Sequence, residues 1–186
     1  YGLANVNSPS GKSDFLTSLD QLQGEVTGCE TASLVVSWFG DDLRVGECSI
    51  KPKVEQKEIE SSNMPWGIAE HTRDLAEEVP KDDEGEPIYG GTPCDQSVIE
   101  AIQALKEAGQ AVMYYPFILM DQMPENGLPD PYSDATDQPV LPWRGRITTS
   151  KAPGQPGSPD GTITAEAEVA AFFGNVSASD FDPSTE

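Results

Sequence analysis

The chain has 186 residues, with 32 acidic side chains against 11 basic ones, a net charge of −21 and a pI near 4.1. Such a polyanion repels phosphate backbones and anionic bilayer surfaces, which argues against nucleic-acid binding and against electrostatic membrane docking. No run of apolar residues approaches the roughly eighteen needed to span a bilayer, so membrane insertion is not expected. Hydrophobic residues at 37% can build a core, but 17 glycines and 16 prolines make much of the chain loop.

Residues 1–13 are rich in Asn, Ser and Gly and read as a lead-in. Asp14 then caps an amphipathic helix that runs to about Val26, with Phe15, Leu16, Leu19 and Leu22 on one face. Ala32–Trp38 (ASLVVSW) is a short apolar run rich in β-branched residues, followed at once by Phe39, Gly40, Asp41 and Asp42. That pattern predicts a parallel strand buried on both faces and reaching a functional edge. From Leu43 to about Glu60 the alternation is weak and predicts extended excursions outside the core. Residues 66–80 fit helix or strand equally well, and residues 81–91 are turn-rich and acidic.

Thr92–Asp95 opens a second helix, with Val98, Ile99, Ile102, Leu105 and Ala108 as its apolar stripe and Gly109 as its stop. A second buried strand follows over Gln110–Met120, so the two elements form the αβ half of a βαβ unit. Asp121 ends the strand, and a Pro/Gly/Asp-rich stretch runs to about Ser158, long enough to be functional or disordered. Asp160–Thr162 caps a last helix from Ile163 to about Phe173, and residues 175–186 are an acidic tail.

In parallel α/β folds ligands sit beyond the carboxyl ends of the strands. Those ends supply Trp38, Asp41 and Asp42 from the first strand and Asp121 from the second. Carboxylates beside an aromatic platform suit glycoside hydrolysis, which makes Asp41, Asp42 and Asp121 candidate catalytic acids and Trp38 a candidate sugar platform. The same aspartates also suit solvated loops and helix caps. Trp143, within Leu141–Arg146 (LPWRGR), is a second candidate for sugar stacking, or else docks the loop while its two arginines pair with surrounding acids. Cys29, Cys48 and Cys94 with His71 match no zinc spacing, so neither a metal nor a cofactor is expected. Buried free thiols are the favoured reading, with a Cys29–Cys48 disulfide left open.

Four motifs carry a family resemblance: Ser33–Arg44 (SLVVSWFGDDLR), Tyr89–Pro93 (YGGTP), Tyr115–Asp121 (YPFILMD) and Pro142–Ile147 (PWRGRI). Together they resemble the glycoside-hydrolase-like TIM-barrel domain of gene transfer agent and phage tail proteins, large multidomain baseplate-hub proteins of the tail tip. The resemblance covers about residues 10–175 and implies the N-terminal portion of a (β/α)8-like barrel. That partial barrel would occupy residues 14–174, with long insertions at 43–91 and 121–160, and would continue beyond Glu186. It also implies a structural or interaction role in a virion tail tip at the bacterial cell surface, among other tail and baseplate proteins in a symmetric homo-oligomer. Contact with host-surface polysaccharide would follow from that position. The alternative is an active glycoside hydrolase cleaving envelope or capsule polysaccharide, for which these residues hold no complete acid/base pair.

Overall fold

A computed structural model describes residues 5–61 and 63–180. Helix α1 (Asp14–Glu25) leads into strand β1 (Thr31–Gly40), and helix α2 (Asp95–Glu107) leads into strand β7 (Ala111–Met120). Between them lie five two-residue strands: β2 (Ile50–Lys51), β3 (Lys53–Val54), β4 (Gly67–Ile68), β5 (His71–Thr72) and β6 (Glu77–Glu78). Helix α3 (Ile163–Phe173) comes last.

The expected αβ unit is present. β1 and β7 are parallel over ten pairs, from Thr31↔Ala111 to Gly40↔Met120, and both therefore end on the same side. The barrel is not. Among the described residues the largest sheet has three strands, in the order β2-β1-β7, and two further sheets have two strands each. A barrel needs successive parallel strands that close on one another. Here β1 instead receives the antiparallel β2, through Phe39↔Lys51 and Gly40↔Ile50. The fold is a small mixed α/β architecture.

Burial departs from expectation in two further ways. β1 and β7 are not buried on both faces: Val35, Met113, Tyr114 and Tyr115 are all exposed, and burial is deep only at Val36 and toward Phe39 and Met120 at the strand ends. Residues 43–60, read from sequence as lying outside the core, supply Val54 to it, and most of the rest comes from the segment that follows. Val54, Trp66, Ile68, Ala76 and Cys94 form a buried cluster, against which Trp38 and Met64 pack. Residues 66–80, which suited helix or strand, contain only β4, β5 and β6.

The Tyr89–Pro93 motif threads back through this cluster. Thr92 N–H donates to Lys53 O at 2.7 Å, Trp66 Nε1–H donates to Thr92 O at 2.7 Å, and Ser37 Oγ–H donates to Gly91 O at 3.0 Å. A Cβ on Gly91 would lie 2.5 Å from Lys53 O and 2.8 Å from Val54 Cα, so only glycine lets these backbones approach.

Helix ends follow side-chain chemistry. Ser13 rather than Asp14 caps α1, its Oγ accepting from Leu16 N–H, while Thr162 caps α3 through Thr164 N–H, as the sequence indicates. Residues 1–4 of the lead-in and 181–186 of the tail lie outside the described residues. No helix among the described residues is long and apolar enough to cross a membrane.

Candidate functional site

The parallel pairing of β1 and β7 brings Asp41, Asp42 and Asp121 to one side of the sheet, as expected from the sequence. Their partners come from the segment between the strands. β3 pairs with β6 so that Lys53 lies opposite Glu77, and Lys53 Nζ then reaches Glu77 at 2.9 Å and Asp121 at 2.5 Å. Lys51, two residues earlier, reaches the same Glu77 at 3.0 Å and Asp41 at 3.5 Å. The result is a chain of alternating charge: Asp41, Lys51, Glu77, Lys53, Asp121.

The inner end of this chain is dry. The side chains of Lys53 and Asp121 are 10% and 8% exposed, whereas that of Glu77 is 53% exposed. Hydrogen bonds from Lys53 and then Lys51 pull the Glu77 pKa down to about 2. Burial pulls the Lys53 pKa down, but the hydrogen bonds it donates to Asp121 and Glu77 outweigh that and hold its pKa above the ordinary lysine value. The Tyr89 ring packs on Phe39 with centroids 5.8 Å apart, and burial pushes its phenol up.

Asp42 belongs to a separate network. Its Oδ1 accepts from Arg44 N–H at 2.7 Å and from Gln138 Nε2 at 2.7 Å, and its Oδ2 from Arg44 Nη2 at 2.6 Å. Burial would raise its pKa, yet these hydrogen bonds prevail and hold it below the usual carboxylate value. The buried Gln138 Oε1 also accepts from Leu43 N–H at 2.9 Å and from Gln122 Nε2 at 3.1 Å. Asp42 thus ties the long loop after β7 to the end of β1. A chain path this remote in sequence gives no local signal, so Glu77, Lys53 and Gln138 were missed when the residues were read alone.

That loop is ordered by its own acids. Asp130 accepts from Tyr132 N–H at 3.1 Å and from Ser133 Oγ–H at 2.8 Å, and Asp137 accepts from Gly127 N–H at 2.8 Å. Backbone bonds from Val45 N–H to Thr148 O and from Thr148 N–H to Leu43 O dock its far end beside β1. Trp143 stands out at 68% exposure. Its six-membered ring lies flat enough on Gly145 that a Cβ there would meet three ring carbons at 2.5–2.6 Å. Among the described residues Arg144 and Arg146 do not pair with carboxylates, contrary to expectation. The Arg144 guanidinium lies 3.8 Å from the Phe117 ring centroid, and that of Arg146 lies 4.5 Å from the Tyr132 centroid.

Trp38, the other aromatic candidate, is half-buried and packs on the core cluster. It lines a cavity of about 210 Å³ with Val36, Ile68, Pro93, Val98 and Tyr114. A groove of about 600 Å³ lies on the helical side between α1, α2 and β1, remote in lining from every candidate acid of the strand ends. Cys29, Cys48 and Cys94 are free thiols, with no Cys29–Cys48 bond. No cluster of three or more His, Cys, Asp or Glu among the described residues could hold a metal ion. Compared with known protein families and with curated proteins, the chain matches none.

Proposed function

We propose that this domain is a non-catalytic interaction module that contacts host-surface glycan from a phage-type tail tip. The observation that carries the reading is the Trp143 indole, 68% exposed and braced against the Gly145 backbone. An aromatic ring held by rigid backbone offers a preorganised apolar face on which a sugar ring can stack at little entropic cost. The tail-tip setting is supported by the four sequence motifs and their resemblance to baseplate-hub proteins.

The charge network favours binding over hydrolysis. A glycosidase needs one carboxylic acid kept protonated to donate to the leaving oxygen. At these strand ends Asp41, Glu77 and Asp121 are ion-paired to lysines, and Asp42 is ion-paired to Arg44. The depressed values of Glu77 and Asp42 are those of permanent carboxylates, the opposite of a poised acid.

Affinity electrophoresis through gels containing host-envelope polysaccharide tests the reading, with reducing-end release measured in parallel. The expected result is retarded migration that Trp143→Ala abolishes, with no sugar released by the wild type. Sugar release that Asp121→Asn or Asp41→Asn eliminates would establish the hydrolase instead.

A further inference from the structure

Resting on the glycan-contacting reading, we infer that the subsite around Trp143 is built for an acidic sugar, a hexuronate of an anionic polysaccharide, with Arg144 and Arg146 receiving its carboxylate. The chain has four arginines among 32 acidic residues. Two of them pair with carboxylates, Arg44 with Asp42 at 2.6 Å and Arg73 with Glu60 at 3.2 Å. Arg144 and Arg146, which flank Gly145, make no ion pair with any carboxylate of the described residues.

Both guanidiniums are held in place by aromatic faces instead. Arg144 lies over Phe117, with Nη2 3.4 Å from Tyr115 Oη. Arg146 lies over Tyr132, whose hydroxyl donates to the Arg146 carbonyl oxygen at 2.9 Å. Stacking through the flat face leaves the N–H donors around the guanidinium edge available, and that edge matches a carboxylate in a bidentate pair. The arginines are therefore positioned without being neutralised. The neighbouring acids are committed elsewhere: Asp130 and Asp137 to loop backbone N–H groups, and Asp134 toward Lys151 at 3.7 Å.

A uronate combines the two features this corner lacks. Its ring has an apolar C–H face for the indole, and the carboxylate at its ring edge is the partner an unpaired guanidinium takes. The net charge of −21 opposes any polyanion at long range. At physiological salt, however, the screening length is about 8 Å, so local complementarity decides which ligand is held.

The test is isothermal titration of the full chain in 150 mM NaCl with hexasaccharides of mannuronate, galacturonate and glucuronate, each beside its carboxyl-reduced neutral counterpart. At least one uronate is expected to bind ten-fold or more tightly than its neutral twin. Arg144→Gln and Arg146→Gln should each remove most of that preference while leaving neutral binding in place. Trp143→Ala should abolish binding of both, and circular dichroism of each variant verifies the fold. Gly145→Ala, which displaces the indole without touching either charge, should weaken acidic and neutral sugars together. Equal or tighter binding of the neutral sugars would overturn the acidic specificity and leave the glycan reading standing. No binding of any hexasaccharide at millimolar concentration would overturn both. Tighter binding of a hexathymidylate than of every uronate would replace the sugar with a phosphate polymer.

Discussion

Lys53→Met isolates the buried part of the strand-end network. Methionine keeps the unbranched apolar stem of the buried Lys53, and only the ammonium is lost. Glu77 retains Lys51 at 3.0 Å and is half in water, so it tolerates the change. Asp121, with its side chain 8% exposed, loses the one cation within ion-pair distance of it among the described residues. Removing one partner of a buried pair costs about 3–5 kcal/mol, chiefly because a desolvated charge is left behind. Against a typical total stability of about 5–15 kcal/mol this is a large fraction. With a urea slope of about 2 kcal/mol per molar, the midpoint should fall by roughly 1.5–2.5 M at pH 7. Adding Asp121→Leu should restore most of the loss, since replacing both members of a buried pair is often close to neutral.

The pH dependence adds a second readout. Glu77 has a folded pKa of about 2 against an ordinary 4.5, so its ion pairs stabilise the fold fully above the ordinary range and lose that contribution as pH falls toward 2. In Lys53→Met this acid-side slope should become shallower, because one of the two lysines depressing Glu77 is gone. A midpoint shift under about 0.5 M at pH 7, with an unchanged slope, would refute the assignment of Lys53–Asp121 as a buried, strongly coupled pair.

Gln138→Leu should cost about 2–3 kcal/mol in urea unfolding and accelerate hydrogen exchange at the Leu43 amide, because buried partners on Asp42 and Leu43 lose their bonds together. Unchanged exchange at Leu43 would show that the loop after β7 is held by other contacts. Gly91→Ala should destabilise by about 2 kcal/mol or more through overpacking against the Lys53 carbonyl, and a thermal melt within 1 °C of wild type would contradict that approach. In a thiol titration with Ellman's reagent, Cys29 should react in the native protein. Cys48, whose thiol burial pushes up, and Cys94 should react only on unfolding, to a total of three. A denatured total of one would instead establish a disulfide.

Local order was legible because it depends on near neighbours. The stripe from Val98 to Leu105, the Gly109 stop and the Thr162 cap all mark helices that the structure contains, and the two long strands stand where their β-branched and aromatic runs place them. The core was not legible over residues 43–91, since strands of two residues carry no periodicity and Val54, Trp66, Ile68 and Ala76 are buried singly. The four motifs suggested a barrel, but motif likeness does not specify which strand lies beside β1, and the antiparallel β2 takes that edge.

The same division holds for the candidate site. The sequence by itself determined the net charge and the helices, and it determined that β1 and β7 would run parallel, because the helix between them carries the chain back to the same starting side. It thereby placed Asp41, Asp42 and Asp121 together. Only the tertiary structure decided their chemistry: three of the carboxylates met cations, while two arginines in a chain of 32 acids settled on aromatic rings instead. The physical reason is range. Backbone hydrogen bonding and apolar periodicity are fixed within a few residues, whereas an ion pair forms between whichever charges the folded path brings within about 4 Å and shields from water.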